Sequence, residues 1–567
     1  MIFASLLING TLFVVLLLLT ILLPAGLVRF QVLNYLRGCL RFLSRPKTAL
    51  LFVFLTSLLI SAGISSGKKP VPRIHDEFSY LLAADTFANG RITNLPHPFW
   101  KHFESFHIIQ QPTYASKYPP GQGLFLAAGQ LLKGRPIAGS WLCTALACAA
   151  ICWMLQACIP LRWALAGGML STFHPLILMW GQKYYGGSLA VLGGALLFGA
   201  LYRLMKRPAA GTSLIMALGL LFLATSRPFE GFLTAIIAAI VLLAWMVKQS
   251  QFSMRRLSQL IIIPLALASI CLVSALAFYN WKITGSATRF PYQVHEERYS
   301  PTPLFVWSPA RNVKPSLPHI ENFHQTWSFG IYEKQQSRKE YLHAIVLKSK
   351  IFFVEMFVFP LSILLTTLPW ALRNHLTRLA VATVSIMLLI HVTCVTFFQA
   401  FYLAPVMPLI ILILIQCARY WRVNFWENHS QGTVFLCGFS LLYFGLSLSL
   451  IYEYLSDPTT PTRYQLALSR SRVIEQLKQR PQKDLIFVKY PEDHDFHFDW
   501  VYNRADIDGA EVIWAHDLGE LDNQRLIQYY PDRQIWRLSL SDQKIRLSPY
   551  RKKNEPKTQR NQESPPP

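Results

Sequence analysis

The sequence predicts a polytopic α-helical membrane protein, with about twelve transmembrane helices and a small α/β domain toward the C-terminus. Three observations predict it. Of the 567 residues, 52% are apolar and only 15% charged, against roughly 25% charged in ordinary soluble domains. Mean hydropathy is +0.31, and many uninterrupted apolar runs reach the ~20 residues a helix needs to cross a bilayer. The net charge of +24 is confined to residues 1–452, because the stretch from Glu453 onward holds 18 Lys+Arg against 18 Asp+Glu. A basic excess restricted to the apolar region is what the positive-inside rule produces. It gives no reason to invoke nucleic acid, and the composition excludes a disordered chain, a disulfide scaffold and an ordinary soluble enzyme.

The first apolar run, residues 6–28, is longer than a signal-peptide core and lacks a small-residue cleavage site, so it reads as an uncleaved helix. Residues 29–47 carry five basic residues and no acid. Together they form an N-terminal unit, 1–47, in front of the main membrane domain, 48–452. That domain opens with a span at 48–66 and a long polar and aromatic loop at 67–122. Six more spans follow near 137–158, 163–181, 188–204, 212–226, 231–247 and 259–281. A second long loop covers 282–348, and four spans near 350–370, 379–398, 402–418 and 433–452 complete the set.

Orientation follows from the connections. The short segments 29–47, 158–162, 203–212, 248–257, 370–378 and 419–432 hold 16 Lys+Arg, whereas the opposite short connections hold two, Lys183 and Arg227. The first set is therefore expected to be cytoplasmic, which places both long loops and the C-terminal region outside. Residues 453–550 read as a small soluble α/β domain. Strands are expected at 484–490, 511–515 and 534–538, with helices near 464–479 and 520–530. Residues 551–567 are low in complexity and expected to be disordered. All nine cysteines lie in or beside apolar runs, where thiols act as small hydrophobes. The loops and tail have none, so the redox compartment stays open.

The candidate chemistry sits in the first outer loop. His75-Asp76-Glu77 places two adjacent carboxylates about ten residues beyond a span. Like-charge repulsion raises the pKa of such neighbours, and one could act as general base toward a hydroxyl. The alternative is that both acids simply favour the first turn of the helix continuing through Phe78, Ser79 and Tyr80. Downstream, Phe99, Phe103 and Phe106, with Trp100 beside them, suit a helix lying in the interface with its aromatic side in lipid. Tyr114-Ala115-Ser116-Lys117-Tyr118-Pro119-Pro120 then returns the chain to the membrane. A cation on a stiff Pro-Pro turn at headgroup depth suits a lipid phosphate, or serves only as an interfacial anchor.

An acidic pair just after an early span, interfacial helices and a Lys-x-Pro-Pro turn into the next span together resemble the GT-C membrane glycosyltransferases. The resemblance is nearest to glycosyltransferase family 39, which includes protein O-mannosyltransferases and aminoarabinose transferases. It covers residues 48–420 and is strongest over 75–205, with Tyr402-Leu403-Ala404-Pro405 and Pro408 matching a late helix start. It implies transfer of a sugar from a polyprenyl-monophosphate carrier to a lipid, glycan or protein hydroxyl on the outer face of a bacterial inner membrane. Asp76 matches the family's catalytic carboxylate, Glu77 its supporting neighbour and Lys117 the lysine that contacts the donor phosphate. Tyr118, His75 and Tyr80 fall in the same substrate-binding region. Inversion at the anomeric carbon is implied, with no cofactor required and a divalent cation left open. Departures are Gln182-Lys183-Tyr184-Tyr185, where the family often has an acid, Gln399, where it often has a cation, and the extra leading helix.

Arg227 and Lys183 are further candidates for the donor phosphate, since ionisable groups at that depth are functional suspects. Arg227 could equally pair with Glu230 at two helix ends. His174 and His391, inside spans, read as structural. Arg289, His295, Glu296, Glu297 and Arg298 read as a solvated charge run. In Asp493-His494-Asp495-Phe496-His497-Phe498-Asp499-Trp500, the side chains at 495, 497 and 499 share one face of an extended segment. This suits an acceptor-contacting surface better than a metal site. Two rival classes remain: a secondary transporter, which should show paired half-repeats absent here, and a non-catalytic carrier-lipid-binding protein of envelope assembly.

Overall fold

A computed structural model describes residues 41–43, 45–313, 315, 317–424, 429–456, 461–491, 494–541 and 544–550. The expected helix at 6–28, most of the basic segment 29–47 and the tail 551–567 lie outside the described residues. The described chain is polytopic and helical. Eight of its helices are long and apolar enough to cross a membrane: Pro46–Gly67, Ile137–Gln156, Ser188–Lys206, Pro228–Lys248, Met254–Thr284, His375–Cys394, Ala400–Val423 and Gln431–Glu453.

The other three expected spans differ, for local reasons. The run at 163–181 is two short helices, Leu161–Thr172 and Pro175–Trp180. Pro175 offers no N–H and forces extended backbone on His174 (φ −69°, ψ 121°). The run at 212–226 forms Ala210–Ala224, only 15 residues. The run at 350–370 is bent by 100° between Arg338–Met356 and Leu361–Ala371, where Pro360 interrupts the ladder.

Ser188–Lys206 and Ala400–Val423 form the centre, with 83% and 89% of their apolar stretches covered by protein, whereas Met254–Thr284 has 6% covered. The centre is pinned by close backbone approach. A Cβ on Gly194 would lie 1.9 Å from the Pro405 carbonyl oxygen, and one on Gly139 1.9 Å from that of Phe125. Small residues permit such contact between membrane helices.

The two long loops and the C-terminal region pack together. Helix His75–Ala88 follows the first described span, then a 3-10 turn at Trp100–Phe103. A short antiparallel pair comes next, β1 (Ile108–Ile109) with β2 (Ala115–Ser116), Ile108 opposite Ser116. Pro120 then opens a helix to Lys133 that the sequence did not separate from its neighbours. The C-terminal sheet has order β4-β3-β5-β6. β3 (Asp484–Lys489) runs parallel to β4 (Val512–His516) and β5 (Gln534–Ser541), and β6 (Lys544–Pro549), unexpected from sequence, pairs antiparallel to β5.

The aromatic residues of the first loop do not face lipid. Phe103 and Phe106 are each 1% exposed. Phe103 packs with Leu485, Phe487 and Leu526 of the sheet region, and Phe106 with Tyr299, Ile320 and Phe323 of the second loop. The apolar face that lipid was expected to cover is covered by protein distant in sequence. Polar ties reinforce the contact: Ala505 N donates to Asp85 Oδ2 at 2.9 Å, Arg504 Nη2 to Asp85 Oδ1 at 3.1 Å, and Phe78 stacks on Tyr502 at 4.0 Å.

The Gly194 contact gives a direct test. Gly194→Ala forces a Cβ into the Pro405 backbone and should cost roughly 1–3 kcal/mol, seen as a lowered unfolding midpoint in detergent by tryptophan fluorescence. Gly211→Ala, whose Cβ meets nothing within 4 Å, should leave the midpoint unchanged or raise it.

Candidate active site

Asp76 sits in the first turn of helix His75–Ala88, its side chain 30% exposed. Tyr118 OH donates to its Oδ1. His75 Nδ1 lies 3.2 Å and His107 Nε2 3.8 Å from its Oδ2. Burial pushes the Asp76 carboxyl up, but the adjacent His75, the Tyr118 hydrogen bond and the nearby Lys117 charge outweigh it and hold the group well below the usual carboxylate range. Asp76 is thus an ionised carboxylate with one open side.

Glu77 points the other way. It is 2% exposed and accepts from Arg73 N at 2.7 Å and Tyr184 N at 3.1 Å, and burial raises its pKa. The expected mutual repulsion of the two acids does not shape either group. Their environments diverge because successive helical residues point about 100° apart. Glu77 ties the helix start to the Gln182–Tyr185 connection, whose Gln182 accepts from Ser65 Oγ at 2.6 Å.

Lys117 is held on the other flank. Its Nζ donates to Glu296 Oε1 at 2.9 Å, both side chains at most 10% exposed, and His295 Nδ1 lies 3.4 Å from the same oxygen. Burial opposes the ionised form of Glu296, but Lys117 and His295 hold its carboxyl well below the ordinary range. The sequence reading of His295 and Glu296 as solvated is corrected here: helix Pro291–Tyr299 buries them against the first loop. Arg289 and Glu297, by contrast, pair at an exposed position, and Arg298 lies over the Trp100 ring at 4.6 Å.

Above the carboxylate, Tyr80 stacks on Tyr118 at 4.4 Å. The Arg227 guanidinium lies over Phe401 and Tyr402 at 4.5 and 4.9 Å, and its buried Nε has no hydrogen-bond partner among the described residues. Lys183 Nζ donates to Tyr185 OH at 2.7 Å. Tyr118 thus touches Asp76, Tyr80 and Lys117, whereas Arg227 packs on the aromatic pair Phe401 and Tyr402. His391 lies 3.7 Å from Glu230 inside the helical core.

His107 was not foreseen. It adopts φ +61°, the only positive φ at a non-glycine among the described residues, a conformation that costs energy and recurs at functional sites. Its carbonyl accepts from Ser79 Oγ at 2.6 Å and Lys117 N at 3.1 Å, so the strained turn carries the imidazole to Asp76 and the lysine past it. His75, Asp76 and His107 offer ligand atoms within 4.8 Å of one another, a set able to hold the divalent cation left open by the sequence. His497 also arrives from the C-terminal region and stacks on His75 at 5.6 Å. The segment is not extended there but a 3-10 turn, Phe496–Phe498, which separates the side chains expected on one face.

The chain is similar to crystal structures of ArnT from Cupriavidus metallidurans. In the apo state the match has 10% identity over 88% of this chain and 94% of that one, with TM-score 0.49. Bound to undecaprenyl phosphate it has 11% identity over 87% and 93%, also at 0.49. It is similar too to the apo Archaeoglobus fulgidus oligosaccharyltransferase, with 11% identity over 87% of this chain and 69% of that one, at TM-score 0.46. No family model matches the chain, and no curated protein sequence does.

The Lys117–Glu296 pair yields a stability prediction. Glu296→Gln leaves a buried ammonium without its counter-charge and should cost roughly 3–5 kcal/mol, whereas Lys117→Met with Glu296→Leu should recover most of it. Because the Glu296 pKa is depressed on folding, its contribution is present above the ordinary value near ~4.3 and lost as pH falls toward the folded value. The gap between wild type and Glu296→Gln should therefore shrink in acid, as followed by unfolding midpoints in detergent.

Proposed function

We propose that the chain is a membrane glycosyltransferase that moves a sugar from a polyprenyl-monophosphate carrier to an acceptor hydroxyl. The membrane is the bacterial inner membrane, with the two long loops and the C-terminal region on its outer side. One observation carries the reading: a partly exposed carboxylate, Asp76, is held by Tyr118 and His75 on the helix that follows an apolar span, with the Lys117 cation beside the same Tyr118 ring. The resemblance of 75–120 and 402–408 to family 39 glycosyltransferases supports the same chemistry.

In this mechanism the acceptor oxygen attacks the anomeric carbon while Asp76 takes its proton. The bond from that carbon to the phosphate oxygen breaks, and the electron pair leaves with polyprenyl phosphate. Attack opposite the leaving group inverts the anomeric centre. Arg227, whose Nε lacks a partner among the described residues, meets the departing phosphate. Lys117 assists from its place on Glu296, because a cation fixed near developing charge stabilises it without reorganisation. Tyr118 and His75 orient the base. His75, Asp76 and His107 would be the residues to hold a divalent ion, which would add Lewis-acid stabilisation, and no step above depends on it.

Asp76→Asn in nanodiscs, offered labelled polyprenyl-monophosphate sugars and envelope acceptor extract, should lose at least ~10²-fold in transfer and in release of polyprenyl phosphate. Equal turnover in wild type and variant would remove Asp76 from the mechanism. If neither turns over while donor lipid binds and Lys117→Ala weakens that binding, the carrier-binding protein is the correct reading. The depressed Asp76 pKa also predicts no acid limb from this group in the wild-type rate between about pH 5 and 8. Arg227→Ala should raise the donor KM about tenfold or more, since it removes a charge-assisted phosphate contact.

A further inference from the structure

Beside His75, across a cleft that His75 and Asp499 both line, three side chains from two distant parts of the sequence converge. His319 comes from the second outer loop, at the start of the short helix Pro318–Glu321. Asp499 directly follows the 3-10 turn Phe496–Phe498, and His516 ends β4. Their ligand atoms all lie within 4.8 Å of one another, and the two imidazole centroids are 5.0 Å apart.

Two of the three groups present a bare ligand atom. Asp499 is 5% exposed. Its Oδ1 accepts from Tyr490 OH and from Val501 N at 3.2 Å, while its buried Oδ2 has no hydrogen-bond partner among the described residues. His319 Nε2 is likewise buried without one. His516, 3% exposed, donates from Nε2 to the Glu104 carbonyl at 2.7 Å. A carbonyl oxygen can only accept, so this bond fixes the proton on Nε2 and leaves the Nδ1 lone pair available in the neutral ring. Tyr490 OH, which also accepts from Trp500 N at 2.8 Å, locks the carboxylate. Such outer partners are how ligating histidines and carboxylates are oriented in metal sites, and a buried carboxylate oxygen with nothing bonded to it is costly otherwise.

We propose that His319, Asp499 and His516 bind a divalent transition ion of the zinc class. That ion fastens the second outer loop to the C-terminal sheet domain. Two imidazoles and one carboxylate are a borderline donor set that suits zinc over magnesium or calcium, whose sites are built from oxygens. Tetrahedral bonds of roughly 2.0–2.2 Å need ligand atoms about 3.4 Å apart, so from separations within 4.8 Å no pair has to close by more than about 1.4 Å on binding. The fourth position belongs to water. The site is independent of the glycosyltransferase reading and makes no claim on the reaction.

The test uses full-length protein in nanodiscs, without added chelator. Elemental analysis should find about one zinc per chain. After stripping, Co2+ should give the visible absorption of a low-coordinate nitrogen and oxygen site, reversed by added Zn2+. His319→Gln and Asp499→Asn, confirmed monodisperse by gel filtration, should bind zinc at least ~10²-fold more weakly, whereas Asp76→Asn should keep it. Chelation should speed proteolytic release of the 453–550 region in wild type and change nothing in the two seam variants. Metal-free wild type that takes up neither ion would overturn the proposal. So would zinc that survives both seam substitutions, or that is lost only with Asp76→Asn, which would place it in the His75–Asp76–His107 cluster.

Discussion

A carboxylate drawn partly out of water must be compensated from several directions at once, and the two long loops are arranged around that demand at Asp76. Its two oxygens are shared among Tyr118, His75 and His107. Holding those three requires the strained turn at His107, the return strand through Ser116 and the Pro119-Pro120 entry into the next helix. The lysine carried past on that return strand needs its own counter-charge, which the second loop supplies through Glu296. One desolvated anion thus recruits segments more than two hundred residues apart, because buried charge is tolerated only when paired and hydrogen-bonded.

The C-terminal sheet domain completes this enclosure. It gives the first loop an apolar partner for Phe103, clamps Asp85 through Arg504 and Ala505, and lays His497 against His75. A segment as long as residues 67–122 gains its order from these distant contacts. Braced by the sheet and by the second loop, it holds Asp76 at the start of a helix.

What the sequence revealed followed from local patterns. Continuous apolar runs located eight helices, and alternation with turn residues located β3, β4 and β5. The Asp76-Glu77 and Lys117-Tyr118 segments stood out by residue type. Two broken spans carried their own signal in Pro175 and Pro360, which weigh little in a hydropathy window but decide the backbone. What stayed hidden depended on distant partners. His295 and Glu296 look solvated until Lys117 is placed opposite them. The Phe99–Phe106 face looks lipid-bound until the sheet covers it. His107 has no sequence mark, since its role arises from a left-handed turn that nothing adjacent dictates. The donor set at 319, 499 and 516 is spread over almost two hundred residues and could not be assembled from spacing.

The helix Met254–Thr284 links the apolar region to the surroundings of Asp76. Almost all of its apolar stretch faces away from protein, yet its far end is sewn to the site: Tyr279 OH donates to the Tyr118 carbonyl at 3.3 Å and Thr113 Oγ1 to the Ile283 carbonyl at 2.9 Å, and helix Pro291–Tyr299 follows directly. These ties join the helix both to the turn that carries Tyr118 and to the segment that carries Glu296.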